Sequence, residues 1–229
     1  MKWLRLYITE EGTTERVFAD QVLKPHLENF SIEVKSRVVF TNRKLGKRGG
    51  VTDFAKLRGD LTRLMHEDRH PEARFTTMVD LYALPHEFPG WDDARKKALP
   101  LDRVFALETA LQTYFADWRF LPYIQLHEFE TLLYCDLSEL QRRIAHPPQA
   151  FEALAREVTN LAPEDINEGT TNAPSKRIIR HVPLYERAKV RVGATAVAGI
   201  GLEKIRAQCP HFDLWVNKLE KLADIPTPE

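Results

Sequence analysis

Acidic side chains follow three segments that have the composition of buried strands. Glu11 comes just after the apolar run WLRLYIT, Asp80 ends the segment FTTMVD, and Glu128 follows the run FLPYIQL. Carboxylate oxygens are the hard ligands that Mg²⁺ prefers, and Mg²⁺ needs only one or two of them beside waters and a substrate phosphate. Carboxylates held together also repel one another unless a cation offsets their charge. The residue types therefore indicate a divalent-metal site that acts on a phosphate.

Strands that alternate with helices must position these residues. Strands are predicted at residues 3–9, 31–40, 75–79 and 120–126, and helices between them at residues 13–27, 53–66 and 101–115. This alternation predicts an α/β fold with a mostly parallel four-stranded sheet flanked by helices. Functional residues of such sheets gather at the carboxyl ends of the strands. We therefore expect Glu11, Asp80 and Glu128 to meet, with Glu130 beside them.

The last third of the chain has a different character. Helices are predicted at residues 151–161 and 202–222, after a hinge that contains Pro147 and Pro148. We place a domain boundary there, between an α/β domain (1–145) and a helical C-terminal lobe (146–229). Phe212 and Trp215 have helical spacing, which is more typical of core residues than of a base-stacking platform.

Two cationic stretches are candidates for contact with nucleic-acid phosphates. The first is the loop TNRKLGKRGG, which carries Arg43, Lys44, Lys47 and Arg48 and no acid. The second contains Lys176, Arg177, Arg180, Arg187, Lys189 and Arg191. Lys176 is a candidate catalytic residue, because a lysine near the metal would stabilise developing phosphoryl charge. Lys+Arg and Asp+Glu are equal at 33 each, so nucleic acid must be held by local patches of this kind, although an ordinary solvated surface is the alternative for any single cation.

Several other classes of function are disfavoured. His66, Glu67 and His70 match the HExxH pattern of zinc proteases, but both histidines are predicted to project away from the apolar stripe of their helix. Cys135 and Cys209 lack the CxxC spacing of zinc or redox sites and are expected to be core thiols. No apolar run approaches the roughly 20 residues that span a bilayer, so we expect a cytoplasmic protein without a membrane partner. No complete P-loop or dinucleotide-binding motif is recognisable.

Longer motifs along nearly the whole chain resemble an uncharacterised bacterial family related to the Toprim domain. These motifs are EGTTER (11–16), MVDLYALPHEFPG (78–90), LHEFETLLYCD (126–136), EDINEG with APSKRI (164–178), and GLEKIRAQCPHF (201–212). Toprim domains occur in primases, topoisomerases and overcoming-lysogenization-type nucleases. The resemblance implies a Toprim-like (Rossmannoid) fold. It also implies a role in phage defence, because genes of this family often neighbour an AAA or ABC-type ATPase.

The resemblance assigns roles to individual residues. A glutamate follows the first strand of Toprim proteins and a DxD motif follows the third, which correspond here to Glu11 as general acid/base or ligand and Asp80 as main metal ligand. Tyr82 stands where the second aspartate of the motif would be. Glu128 or Glu130 would then complete the metal shell, and a degenerate, non-catalytic Toprim fold is the alternative.

The leading hypothesis is a nuclease that depends on Mg²⁺ (or Mn²⁺), acts on DNA or RNA, and serves a separate AAA or ABC-type ATPase as effector. The alternative is a non-catalytic subunit that uses the same scaffold to hold the ATPase or a nucleic acid. Nucleotidyl transfer ranks last, because no nucleotide pocket is recognisable, and a homo-oligomer is left open. Taken singly, Glu11 could merely complement a helix dipole and Asp80 could cap a loop.

Overall fold

A computed structural model describes residues 3–39, 53–82, 84–166 and 171–225. The strands are β1 (Leu4–Glu10), β2 (Ile32–Val38), β3 (Ala73–Asp80), β4 (Phe120–Leu121) and β5 (Ile124–Gln125). The helices of the first half are α1 (Thr13–Phe18), α2 (Lys24–Glu28), α3 (Phe54–Glu67), α4 (Trp91–Ala94) and α5 (Pro100–Phe115). The second half contains α6 (Leu137–Gln141), α7 (Pro148–Glu157), α8 (Pro174–His181), α9 (Tyr185–Ile200), α10 (Leu202–Gln208) and α11 (Pro210–Glu220). The predicted α/β fold with C-terminal helices is confirmed.

The sheet has the strand order β2-β1-β3-β4, and β5 also pairs with β3. All of these pairings are parallel. The central strands β1 and β3 are buried along most of their length, as expected for strands that have helices on both faces. Their carboxyl ends, at Glu10 and Asp80, therefore open on the same edge of the sheet.

The predicted fourth strand is divided into β4 and β5. Two residues lie between them, Pro122 and Tyr123, and Pro122 has no backbone N–H to donate to a neighbouring strand. The Thr77 hydroxyl of β3 fills this gap: it accepts from the Tyr123 N–H at 2.9 Å and donates to the Tyr123 carbonyl at 2.8 Å. The two short strands thus continue one another along the edge of β3.

Helices cover the sheet on both faces. One buried cluster joins α3 and α5 to residues of β3 such as Phe75 and Val79. The other joins Leu6 and Ile8 of β1 to helices from both ends of the chain. Cys135 and Cys209 are buried in this second cluster as free thiols, with their sulfur atoms 3.5 Å apart. The predicted division into domains at residue 145 stays a prediction.

The C-terminal helices differ in detail from the predicted ones. Pro210 starts a new helix, so the single helix predicted at 202–222 is two, α10 and α11, with Cys209 between them. Two further helices, α8 and α9, were not predicted, because the spacing of cations dominated the interpretation of residues 176–191. Of these, α9 packs against α1.

Trp215 anchors α11 to the sheet. Its ring stacks on Tyr123 with 4.1 Å between centroids, and its indole N–H donates to Thr76 Oγ1 at 3.0 Å. The expectation that Trp215 is a core residue is confirmed, because its exposed fraction is 3%.

We expect Trp215→Ala to lower the free energy of unfolding by about 3–5 kcal/mol, because it removes a buried ring and leaves a cavity. Chemical denaturation followed by circular dichroism measures this change. Trp3, which is 50% exposed, supplies the matched control, and Trp3→Ala should change stability by about 0.5 kcal/mol or less. Equal effects of the two substitutions would contradict the packing described for α11.

Candidate functional site

Glu11 and Asp80 meet where β1 and β3 end. The Glu11 N–H donates to the Met78 carbonyl at 3.1 Å, which holds the residue after β1 against β3. The Glu11 side chain also contacts β3, because its Oε2 accepts from the Asp80 N–H at 2.8 Å. The two acids are therefore joined across the sheet edge, as the parallel topology predicts.

Glu128 reaches the same edge through the chain that follows β5. Backbone hydrogen bonds from Leu81 to Gln125 (2.9 Å) and from Tyr82 to His127 (2.8 Å) hold this segment beside the residues after Asp80. The Glu128 carboxylate then accepts from the Ser175 N–H at 2.8 Å and from the Ser175 hydroxyl at 3.0 Å. Ser175 lies in the first turn of α8, so the carboxylate sits at the positive end of that helix.

Glu130 is held by two residues one helical turn apart on α9. The Tyr185 hydroxyl donates to its Oε1 at 3.0 Å, and Lys189 Nζ lies 3.0 Å from the same oxygen. Gly193, a further turn along, lets α9 approach α1, since a Cβ at this position would lie 3.0 Å from the Tyr185 hydroxyl and 3.4 Å from the Thr14 methyl group. Tight packing of α9 on α1 thus brings Lys189 to the carboxylates.

Glu15, in the first turn of α1, completes what we call the acidic cluster. Its members are Glu11, Glu15, Asp80, Glu128 and Glu130. Glu15 is 7% exposed. Burial raises its pKa to about 7, and the negative charge of Glu130 contributes to the rise.

Burial and mutual repulsion disfavour ionisation of four members of the acidic cluster, Glu11, Glu15, Asp80 and Glu128. Burial raises the pKa of Glu11 to about 8, against the hydrogen bond from the Asp80 N–H. The pKa of Asp80 lies well above its ordinary value because of burial first, then the charge of Glu11. Burial and the charge of Glu130 likewise raise the pKa of Glu128. Burial alone would lower the pKa of Lys189, but the charges of Glu130 and Glu128 raise it.

Asp80 Oδ1 is buried and has no hydrogen-bond partner among the described residues. A buried acceptor without a partner costs about 1–3 kcal/mol unless something else satisfies it. The single positive charge of Lys189 does not balance five carboxylates. All of the carboxylate ligand atoms are hard oxygens, which suit Mg²⁺ or Mn²⁺. The chemistry of the donors therefore fits a divalent cation.

The present side-chain arrangement is not yet a coordination shell. In the part of the chain that the structure describes, no group of three or more His, Cys, Asp or Glu side chains is arranged to hold a metal ion. Glu11 is turned toward the Asp80 N–H and Glu130 toward Lys189. Binding of a cation would require these carboxylates to rearrange.

The sequence from residue 10 to residue 220 matches the model of one protein family, described as a domain of unknown function (DUF4276). The chain belongs to this family. A comparison with curated proteins finds no match.

The chain is similar in structure to C-terminal regions of bacterial OLD proteins. That of Burkholderia pseudomallei is 20% identical with a TM-score of 0.47, and the alignment covers 96% of this chain and 100% of the other. That of Xanthomonas campestris pv. campestris is 19% identical with a TM-score of 0.43, covering 94% and 95%. At these values the likeness carries no argument about activity. Within the described ranges, none of the helices combines the length and apolar character needed to cross a bilayer.

The four predicted metal ligands, Glu11, Asp80, Glu128 and Glu130, come together, but the predicted cations do not all join them. Lys176 is exposed on α8, and no hydrogen bond or ion pair links it to another described residue. Arg177 is ion-paired with Glu157 of α7 and donates to the Asn172 carbonyl at 2.8 Å. The basic loop with Arg43, Lys44, Lys47 and Arg48 lies outside the described residues.

Sequence reasoning missed Glu15, Ser175 and Tyr185 as site residues, and it placed Lys189 only among the cations that could contact nucleic-acid phosphates. Glu15 lies in the first turn of α1, only four residues after Glu11, and this proximity in sequence is a signal that could have been used. Tyr185 and Lys189 have the same spacing. Their approach to Glu130 depends on how α9 packs, and residue spacing does not specify this.

Both histidines of the HExxH pattern are exposed, as predicted. Helix α3 ends at Glu67, so His66 and His70 do not share a helix. His66 Nδ1 lies 2.9 Å from an Arg69 guanidinium nitrogen, and the Glu72 N–H donates to His70 Nδ1 at 3.3 Å.

We expect Lys189→Met to lower the free energy of unfolding by about 2 kcal/mol at pH 8, because Glu130 would lose its cation. A fully buried pair would cost roughly 3–5 kcal/mol, but the Lys189 side chain is 38% exposed, so solvent screens part of the effect. Denaturation at about pH 8 and about pH 5 measures the change, which should shrink at the lower pH as carboxylates become protonated.

A double-mutant cycle with Glu130→Gln provides the control for Lys189. The second substitution removes the charge that the lysine balances, so the loss in the double variant should be smaller than the sum of the single losses. Additive losses would show that the two side chains are not coupled.

Proposed function

We propose that the chain is a Mg²⁺- or Mn²⁺-dependent nuclease that hydrolyses phosphodiester bonds of DNA or RNA. The observation that carries this proposal is the buried, partnerless Asp80 Oδ1 among four other carboxylates. Buried carboxylates that repel one another do not stabilise a fold. An arrangement that costs stability in this way is typical of a functional site. The resemblance of the sequence motifs to the Toprim family supports the same function.

Glu11, Asp80, Glu128 and Glu130 would hold the cation. When bound, it would supply Lewis-acid charge that polarises a phosphoryl oxygen. Where Glu11 is not itself a ligand, it would act as the general acid/base instead.

Lys189 would act from α9 as a fixed positive charge. Its pKa is raised by the carboxylates, so it stays protonated and can offset negative charge on a phosphate bound beside them. This role is the one that sequence reasoning gave to Lys176. Ser175 would hold Glu128 in place.

As the wider context of this activity, we propose that the nuclease is the effector of a separate AAA or ABC-type ATPase in phage defence. The resemblance implies this association, and the sequence carries no complete nucleotide-hydrolysing motif. Arg43, Lys44, Lys47, Arg48, Lys176 and Arg177 remain the proposed contacts to nucleic acid.

The second candidate function is a non-catalytic scaffold for the ATPase or a nucleic acid. Tyr82 in place of the second DxD aspartate favours it, and so does the lack of a preformed metal-ligand group among the described residues. The two candidates differ in their dependence on metal.

A cleavage assay separates the candidates. The full chain, alone and with the neighbouring ATPase, is incubated with single- and double-stranded DNA and with RNA in Mn²⁺ or in EDTA. The nuclease proposal expects Mn²⁺-dependent cleavage that falls at least about a hundredfold in Asp80→Asn.

The matched control is Glu10→Gln. Glu10 is fully buried and burial raises its pKa to about 8, but its charged neighbour is Asp20 and not the acidic cluster. This variant should cleave like the wild type. A folded wild type that neither cleaves nor binds Mn²⁺, with the ATPase present, would establish the scaffold instead.

A further inference from the structure

A second concave site lies at the opposite edge of the sheet from the acidic cluster. It is a groove of about 680 Å³ between α3 and α5. Both helices end here, α3 before the start of β3 and α5 before the start of β4. The proposed metal site lies where the strands end, so the groove is separate from it.

One stripe of α3, together with Arg69 beyond the end of the helix, forms a wall of the groove. Arg58, Thr62 and His66 are spaced four residues apart and lie on one face of α3. Arg69 follows two residues after the last residue of α3 and lines the same groove. Neither Arg58 nor Arg69 has a carboxylate within ion-pair distance among the described residues, and each is exposed. Their charges are therefore available to a ligand.

The acids close to this stripe are already neutralised. On another face of α3, Asp60 and Glu67 are ion-paired with Arg63. Asp117, the acid that lines the groove, accepts from Arg119 Nε at 3.0 Å and from its terminal nitrogen at 2.7 Å. The groove thus presents two uncompensated guanidinium groups in a chain of zero net charge.

Tyr114 of α5 gives the groove an aromatic surface. The tyrosine is 48% exposed, although its ring packs edge-on against Phe54 and Phe115 with centroids 5.3 Å away in each case. These contacts orient the ring and leave part of it open. Its hydroxyl lies 3.5 Å from an Arg58 nitrogen, which places ring and cation side by side.

We propose that this groove binds a segment of single-stranded nucleic acid, with phosphates on Arg58 and Arg69 and a base stacked on Tyr114. Proteins that bind single strands combine cations along the backbone with aromatic rings that stack on bases. Arg58 lies nine residues before the end of α3, on the order of 14 Å along the helix axis at 1.5 Å per residue, and Arg69 lies beyond that end. A polyanion spans this distance, and one phosphate does not.

The groove does not depend on the metal or on hydrolysis, so the proposal goes beyond the proposed nuclease function. It also gives His66 a role other than zinc binding. His66 Nδ1 lies 2.9 Å from an Arg69 nitrogen, so Nε2 is the ring nitrogen that is left to contact a phosphate.

The test measures fluorescence anisotropy of labelled oligothymidylate and oligouridylate, each about twelve nucleotides long, with the full chain in EDTA. The double variant Arg58→Ala/Arg69→Ala should bind at least about tenfold more weakly. The slope of log affinity against log salt should fall by about 1.4, because two phosphate contacts are lost. The two oligonucleotides show whether DNA or RNA is preferred.

Tyr114→Leu should weaken binding by about tenfold without changing the salt slope. Tyr114→Phe should bind like the wild type, because stacking needs only the ring. Arg63→Ala is the matched control on another face of α3 and should bind within about twofold of the wild type. EDTA removes the cation that the acidic cluster would need to hold a phosphate, which separates this site from the metal site.

Wild-type affinity in both the arginine double variant and Tyr114→Leu would overturn the proposal. A loss of affinity in Arg63→Ala as large as that in the double variant would also overturn it, because positive charge anywhere on α3 would then be enough for binding. Circular dichroism confirms that each variant is folded; the substituted arginines and Tyr114 are exposed.

Discussion

Asp80→Asn is expected to stabilise the protein and abolish saturable Mn²⁺ binding. Asp80 carries a carboxyl group whose pKa lies well above the ordinary value because of burial and the charge of Glu11. At pH 8 the fold must either protonate this group or hold it ionised among other acids, and both cost free energy. Asparagine has the same shape and no charge. We therefore expect the substitution to raise the free energy of unfolding at this pH.

Calorimetric Mn²⁺ titration and chemical denaturation, both at about pH 8, measure the two effects of Asp80→Asn. Glu10→Gln separates them, because Glu10 also has a pKa of about 8 from burial but faces away from the acidic cluster. This control should be stabilised as well, yet bind Mn²⁺ like the wild type. The prediction fails if Asp80→Asn destabilises the chain, or if its Mn²⁺ affinity equals that of Glu10→Gln.

The parts of the site that the sequence predicts are those that parallel topology determines. Glu11, Asp80 and Glu128 follow strand-like segments, and parallel strands end at one edge, so their meeting required only the recognition of strands. Local residues also carried enough information to foresee the interruption at Pro122, because proline cannot donate in a sheet. The fourth strand was nevertheless predicted as continuous, since its apolar character dominated.

The parts that the sequence did not predict depend on packing between distant helices. Lys189 belongs to a run of cations that looks solvated, and it reaches Glu130 because Gly193 allows α9 to lie close to α1. Lys176 belongs to the same cationic stretch but faces solvent on α8. Only the tertiary arrangement distinguishes these two lysines.

The stability of the metal-free protein is expected to fall as the pH rises from about 5 to about 8. Folding raises the pKa of Glu11 from 4.5 to about 8 and that of Glu15 to about 7, chiefly through burial. In this window the folded state binds more protons than the unfolded state. The contribution of these groups is therefore complete below their unfolded pKa values and is lost as the pH passes their folded values, at up to about 1.4 kcal/mol per pH unit for each group.

Saturating Mn²⁺ should reverse this trend, since carboxylates bind a cation only after losing their protons. We expect Mn²⁺ to stabilise the protein more at about pH 8 than at about pH 5, and to release about one to two protons per chain, counted by calorimetry in buffers of different ionisation enthalpy. Glu10→Gln should flatten the pH dependence without changing the proton count, whereas Glu11→Gln should reduce both. If the two variants release equal numbers of protons, Glu11 does not lose its proton when Mn²⁺ binds. The raised pKa of Glu11 would then be unrelated to metal binding.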